Sequence, residues 1–229
     1  METLKIAVLG TGPVGRAVAG RLAEVGHEVT IGTRDPADTA GREEYAAWAA
    51  DAASRGGAVG LSTFAEAAGG AEVVVNASGG GVALGILESA GTENLAGKVL
   101  LDISNPLDGS TFPPQLFVKD DDSLAEMIQR AHPDAKVVKT LNTMNNQIMA
   151  DPQRLGEDTT VFVSGEDADA KATVTELLGA MGHGDVIDLG GIETARGPEM
   201  WLPLWIRINL ALGGNDFNIK VVRGPSLRG

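Results

Sequence analysis

The chain of 229 residues contains no cysteine. Disulfides, thiolate nucleophiles and cysteine-ligated metal or iron–sulfur centres are thereby excluded, and a reducing cytoplasm is the expected setting. Aromatic residues are scarce, with three Trp, one Tyr and five Phe, so the core has to be assembled from Ala, Val, Leu and Ile. Histidine is rarer still: His27 falls in a turn, His132 precedes Pro133 and His183 lies between two glycines. Each reads as a loop or cap residue, and none joins an acid–base constellation. Cations are few as well. Eighteen Lys and Arg against 31 Asp and Glu give a formal net charge of −13 at pH 7, which sets nucleic acid and anionic membranes aside as main partners. No apolar run is long enough to span a bilayer. Residues 200–212 come nearest but carry Pro203, Arg207 and Asn209, so a buried or interface helix is expected there. The first strand begins within a few residues of Met1, which leaves no room for a signal peptide.

Glycine is plentiful, at 31 residues, in an otherwise ordinary globular composition. Residues 4–9 form an apolar run that breaks into Gly10-Thr11-Gly12-Pro13-Val14-Gly15, after which Val14, Ala17, Val18, Leu22 and Val25 recur at helical spacing. A strand, a glycine turn and a helix in that order bring backbone N–H groups against a pyrophosphate. Residues 28–31 read as the second strand, whose end selects the dinucleotide. An acid there would hold a ribose 2′-hydroxyl, whereas this chain has Gly32-Thr33-Arg34. A guanidinium fork beside a hydroxyl suits a 2′-phosphate, so NADP(H) is the expected cofactor.

Strands alternate with helices onward from there, at residues 58–61, 72–76, 98–103 and 136–141, and two further strands at 159–164 and 185–189 are expected to extend the sheet. The pattern describes an α/β fold: a Rossmann-type, doubly wound, mainly parallel sheet with a small helical C-terminal segment. A second glycine turn stands at Ser78-Gly79-Gly80-Gly81, and residues 107–122 read as a surface loop that either is a plain connection or lies as a lid beside the site. Near Gly190-Gly191 the alternation stops. Residues 1–190 are therefore assigned to a dinucleotide-binding domain with its sheet extension, and residues 191–229 to a helical segment that completes the acceptor pocket. Trp201, Trp205, Ile208 and Leu212 share a face of that segment's helix and serve either as internal core or as a homodimer interface.

Taken together, Gly10 to Gly15, Ile31-Gly32-Thr33-Arg34-Asp35-Pro36, Val137-Val138-Lys139-Thr140-Leu141-Asn142-Thr143 and Asn218-Ile219-Lys220 resemble the NADPH-dependent F420 reductase family, the F420H2:NADP oxidoreductases. The nucleotide-binding domains of six-transmembrane ferric reductases share these motifs. The resemblance implies direct hydride transfer between nicotinamide C4 and C5 of the deazaflavin F420, with the two rings stacked, a step that needs alignment more than a proton relay. It further implies that Thr11, Pro13 and Val14 line the pyrophosphate turn with Gly10, Gly12 and Gly15, and that Thr33 and Arg34 take the 2′-phosphate. Ala77, Ser78 and Gly79 border the nicotinamide ribose, with Asn105 on the same cofactor side. Asn142, Thr143 and Asn145 lie beside the nicotinamide, Asn142 being the candidate positioning residue, and Phe217 closes the acceptor pocket. Two departures make the acceptor side more polar: Ser78-Gly79-Gly80 replaces a Thr-Ile-Pro type of turn, and Asn142 with Asn145-Asn146 replaces a His followed by an apolar Pro-Ala pair. Two other readings stay open at this point, reduction of a small carbonyl or imine oriented by the Asn cluster, and an NADP(H)-binding sensor without turnover. No catalytic residue and no metal ligand is singled out. Lys139 stands on a strand with Asn142 just past its end, unlike the helical Lys and Asn pair of β-hydroxyacid dehydrogenases.

Overall fold

The computed structural model describes residues 2–225, so the last four residues of the expected C-terminal segment lie outside the described residues. Apolar stretches of four to six residues become the parallel strands β1 (Lys5–Leu9), β2 (Glu28–Thr33), β3 (Val59–Thr63), β4 (Val73–Asn76) and β5 (Val99–Asp102). A short antiparallel pair, β6 (Leu107–Asp108) and β7 (Gln115–Leu116), occupies the expected loop, and β8 (Lys136–Lys139), β9 (Thr160–Val163) and β10 (Asp185–Asp188) follow. The helices are α1 (Pro13–Glu24), α2 (Pro36–Gly41), α3 (Glu43–Ser54), α4 (Phe64–Gly70), α5 (Ala83–Ala90), α6 (Thr92–Leu95), α7 (Leu124–Ala131), α8 (Asn146–Ala150), α9 (Ala168–Met181), α10 (Arg196–Met200) and α11 (Leu202–Leu212).

Six strands form one sheet in the order β3-β2-β1-β4-β5-β8, every pair parallel. The period-two alternation of β1 explains the two-sided core. Ile6 and Val8 pack with Val18, Leu22, Val29 and Ile31 on one face, while Ala7 and Leu9 pack with Val74, Leu87 and Leu100 on the other. The chain leaves β1 toward β2 on one side and later returns to β4 on the other. A crevice therefore opens between the loops that follow β1 and β4, at the point where the strand order reverses.

Three local expectations are revised. The alanine-rich helix expected from about Gly41 to Ser54 begins at Glu43, and a further helix, α2, precedes it, because Asp35 caps α2 by accepting from the Asp38 amide at 3.0 Å and Arg42 is extended between the two. β9 and β10 form their own parallel pair, tied to the six-stranded sheet by a single antiparallel bridge between Lys139 and Ser164. Finally, α11 is not a buried helix: Leu202 alone of its residues is buried, and Leu204, Leu210 and Leu212 are 51%, 49% and 66% exposed.

The histidines read as loop residues are buried ones. Burial is the largest influence on His27, His132 and His183 and pushes each below the ordinary histidine value of 6.5, the imidazole of His183 lying 3.1 Å from the Met149 carbonyl. The unfolded chain therefore takes up these protons first as the pH falls. Their contribution to stability is complete above about pH 6.5 and is lost on acidification through the lower folded values. The thermal midpoint is expected to fall between about pH 7.5 and pH 5.5; an unchanged midpoint over that interval would contradict the assignment.

Candidate active site

The β1–α1 turn is built by close approach. Gly10 has φ +131°, and a Cβ there would stand 2.8 Å from the Ala77 carbonyl oxygen at the end of β4. A Cβ on Gly15 would meet the Gly10 carbonyl oxygen at 2.1 Å. Gly12 differs: it is the N-cap of α1 in an extended conformation, with nothing within 4 Å of the position its Cβ would take. The α1 terminus it opens has no side-chain cap, no acid in its first turn and Pro13 in its first position. Its free N–H groups and its dipole suit a pyrophosphate, so the residues present fit a dinucleotide.

At the neighbouring strand the structure moves the selectivity position. β2 continues to Thr33, so Gly32 is inside the ladder, opposite Leu9 and Ser62. A side chain at Gly32 would press within 2.7 Å of Leu9, which makes this glycine a packing requirement. Arg34 is the first residue beyond the strand and is exposed, with no hydrogen bond or ion pair among the described residues. Asp35 forms no ion pair with it, and its carboxylate is turned to the α2 cap. The Thr33 hydroxyl is buried and shares a 2.9 Å hydrogen bond with Thr39. Arg34 and Thr33 border an opening of ≈ 520 Å³ whose other walls include Phe64, Val82 and Ile86.

A second opening, of ≈ 550 Å³, lies over the crevice. It brings together Gly12, Pro13, Val14, Ala77, Ser78, Gly79, Asn105, Asn142 and Asn145 from the sequence-derived set. The two openings meet at the second glycine turn, which gives Gly79 and Gly80 to one and Gly81 and Val82 to the other. Asn142 and Asn105 form a reciprocal amide pair. The Asn142 Nδ2 donates to Asn105 Oδ1 and to the Pro198 carbonyl at 3.0 Å each, and Asn105 Nδ2 donates to the Asn142 carbonyl at 3.1 Å. Just before it, Leu141 has φ +60°, and the Asn142 amide donates to the Thr140 carbonyl at 2.8 Å. This strained γ-turn at the end of β8 carries the chain to Asn142 at the cleft. Asn145 accepts from the amides of Gln147 and Ile148 to cap α8 and donates to the Asn215 carbonyl. Asn146 donates to the Pro13 carbonyl at 3.3 Å, joining the Asn cluster to the glycine turn.

Two expected substrate contacts are placed elsewhere. Thr143 is buried and is not part of the cleft wall, because the chain after Leu141 turns its side chain into the interior. Phe217 stacks on Trp205, with ring centroids 5.4 Å apart and planes inclined by 25°, and it is Trp205 that faces the cleft. Trp205, with Leu202, Met144, Met149 and Ile103, makes an apolar wall opposite the glycine turns. Of the four residues expected to share a face of this helix, Trp201, Trp205, Ile208 and Leu212, it is Trp205 that lines the cleft. Among the described residues, no ionisable side chain lines this cleft.

Lys139 was set aside from the sequence, and the structure gives it unusual surroundings. Its side chain is fully buried with the carboxylates of Asp102 and Glu199 each 2.8 Å away. Burial pushes the ammonium down, but the two carboxylates outweigh that and hold it above the ordinary lysine range.

Residues 5–106 match the family model of the F420-dependent NADP oxidoreductases. The F420-dependent NADP reductase of Methanothermobacter marburgensis is 31% identical over 229 residues, covering 97% of this chain and 100% of that protein. The chain belongs to the F420-dependent NADP reductase family. A solved structure from Arthrobacter sp. FB24, provisionally described as an F420-dependent NADP reductase, is 57% identical and superimposes with a TM-score of 0.92 over 96% of this chain and 100% of that one. The rat metalloreductase STEAP3 is 30% identical over 93% of this chain, yet the match spans only 40% of that protein. Among the described residues, no helix is long and apolar enough to cross a membrane. For a member of the F420-dependent NADP reductase family, a cleft with one dinucleotide wall and one apolar aromatic wall is a workable place for two flat rings.

Proposed function

We propose that this protein is an NADP(H)-dependent oxidoreductase that transfers hydride between nicotinamide C4 and the deazaflavin F420. The observation that carries the reading is a cleft lined by both glycine turns and by Trp205, without an ionisable side chain among the described residues. Reduction of a carbonyl or imine needs a proton donor within reach of the substrate, whereas hydride exchange between two stacked rings needs alignment and exclusion of water. Bound NADPH supplies the hydride. Gly10, Thr11, Gly12, Pro13, Val14 and Gly15 seat the pyrophosphate, Arg34 takes the 2′-phosphate beside Thr33, and Ala77, Ser78, Gly79 and Asn105 border the nicotinamide ribose. Asn142, held by Asn105 and Pro198, orients the rings, and Trp205 backed by Phe217 covers the acceptor. Mixing the protein with NADPH and oxidised F420 is expected to bleach the deazaflavin absorbance; no bleaching at high protein concentration would remove the assignment.

The same reading places the protein in the cytoplasm, with residues 1–190 as the dinucleotide-binding unit and residues 191–229 completing the acceptor side. It also assigns α11 to a homodimer interface. An eleven-residue helix with Leu204, Leu210 and Leu212 about half exposed or more presents apolar surface that a two-fold contact would cover. Sedimentation is expected to give a dimer at micromolar concentration, and the double substitution Leu204→Glu, Leu212→Glu a folded monomer. A monomeric wild type would end the interface assignment.

A further inference from the structure

Lys139 has no part in the reading above, yet it is one bond from the cleft wall. All three of its N–H donors are used: on Asp102 Oδ2 at 2.8 Å, on Glu199 Oε1 at 2.8 Å and on the carbonyl of the cleft-lining Ser104 at 2.6 Å. From Asp102 the hydrogen bonds continue outward. Its Oδ1 accepts from Ser104 Oγ at 2.7 Å and from Asn76 Nδ2 at 2.8 Å, and Asn76 Oδ1 accepts from Ser78 Oγ at 2.6 Å. Ser78 and Ser104 both belong to the cofactor wall. On the other side, Glu199 accepts from the amides of Leu124 at 2.8 Å and Ala125 at 3.1 Å, at the start of α7. It sits on α10, which runs into α11 and so to Trp205 on the acceptor wall. Three buried charges thus reach both sides of the cleft.

Their charge state follows from their partners. Every group that faces the two carboxylates is a donor, so both act as ionised, acceptor-only groups. Two carboxylates against one ammonium leave one negative charge in excess, in a place with side-chain exposures of 0%, 0% and 2%. The α7 amides and the Asn76 and Ser104 donors offset part of the cost of that burial, as a buried charge requires.

We propose that Asp102, Lys139 and Glu199 are positioning residues for hydride transfer, holding Ser78, Ser104 and α11 in register across the cleft, and that their excess negative charge favours the oxidised nicotinamide over the reduced one. The inference rests on the hydride-transfer reading. When hydride, two electrons with one proton, leaves nicotinamide C4, the ring becomes a pyridinium with one more positive charge and the acceptor gains one negative charge. A fixed negative charge beside the nicotinamide wall stabilises the pyridinium and leaves the neutral dihydropyridine nearly untouched. A scaffold without this electrostatic role would alter the binding of both forms equally.

The test compares dissociation constants of NADP+ and NADPH by calorimetry, with no acceptor present, for the wild type, Asp102→Asn and Glu199→Gln. Folding of each variant is checked by near-ultraviolet circular dichroism. A unit charge roughly 10 Å from another, at an effective dielectric of roughly 20, alters an equilibrium by about tenfold. Asp102→Asn is accordingly expected to weaken NADP+ relative to NADPH by about tenfold, and Glu199→Gln by less in the same direction, because the α7 terminus already offsets part of its charge. A ratio within about twofold of wild type in whichever variants fold would overturn the inference alone. A wild type that binds neither nucleotide would overturn the hydride-transfer reading as well.

Discussion

Arg34→Ala is expected to weaken NADPH binding by roughly thirty- to hundredfold and to leave NADH binding within about twofold, the loss of a charge-assisted contact to phosphate being about 2–3 kcal/mol. Three observations make the residue decisive. It is the first residue past β2, it lacks an acidic partner among the described residues, and the neighbouring Asp35 is spent on the α2 cap. The chain's formal net charge of −13 works against any phosphorylated ligand, so a local cation matters more here than on a neutral protein. Arg34→Lys keeps the charge but not the fork and should fall between the two. Fluorescence titration with both nucleotides checks the prediction, and equal losses for NADPH and NADH would remove the 2′-phosphate role.

Gly12→Val and Gly15→Ala are expected to fail in different ways, although both change glycines of one motif. At Gly12 the backbone is extended and the space beyond it empty, so valine leaves the fold stable within about 1 kcal/mol while its side chain occupies the approach of the pyrophosphate. Binding of NADPH and NADH should both disappear in a protein with an unchanged thermal midpoint. At Gly15 even a methyl group would sit 2.1 Å from the Gly10 carbonyl oxygen, which a backbone turn cannot yield without opening. The expected cost is about 3 kcal/mol or more, seen as a lowered midpoint or insoluble protein. A stable Gly15→Ala variant with full cofactor affinity would show that the turn repacks.

These contrasts mark what the sequence could disclose. The strand–turn–helix at Gly10 and the run of parallel strands were legible because each depends on local pattern and turn chemistry. The end of β2 was not, because the ladder continues through Gly32 by pairing with Leu9 and Ser62, residues distant in sequence. The short helix α2 was not legible either, because Asp35-Pro36 reads equally as a strand break and as the cap and first position of a helix. Of the cleft, the side that carries the glycine turns was legible from glycine spacing, and the exposed position of Arg34 from its place after the second strand. The acceptor half was not, since Trp205 reaches the cleft only through the placement of α11, and the contacts that fix α10 below it are made by a buried lysine on β8. A lysine in an apolar strand carries no mark of the carboxylates that will meet it.

The cleft takes its cofactor wall from short turns locked against one another by backbone, and part of its apolar wall, Leu202 and Trp205, from a helix of which one residue is buried. At Gly10 and Gly15 the first has no room for a side chain. The second can exchange several side chains with little cost to folding. Substitutions on α11 are therefore expected to alter the fit of the acceptor while leaving the fold and cofactor affinity in place, whereas a side chain at Gly10 or Gly15 is expected to damage both.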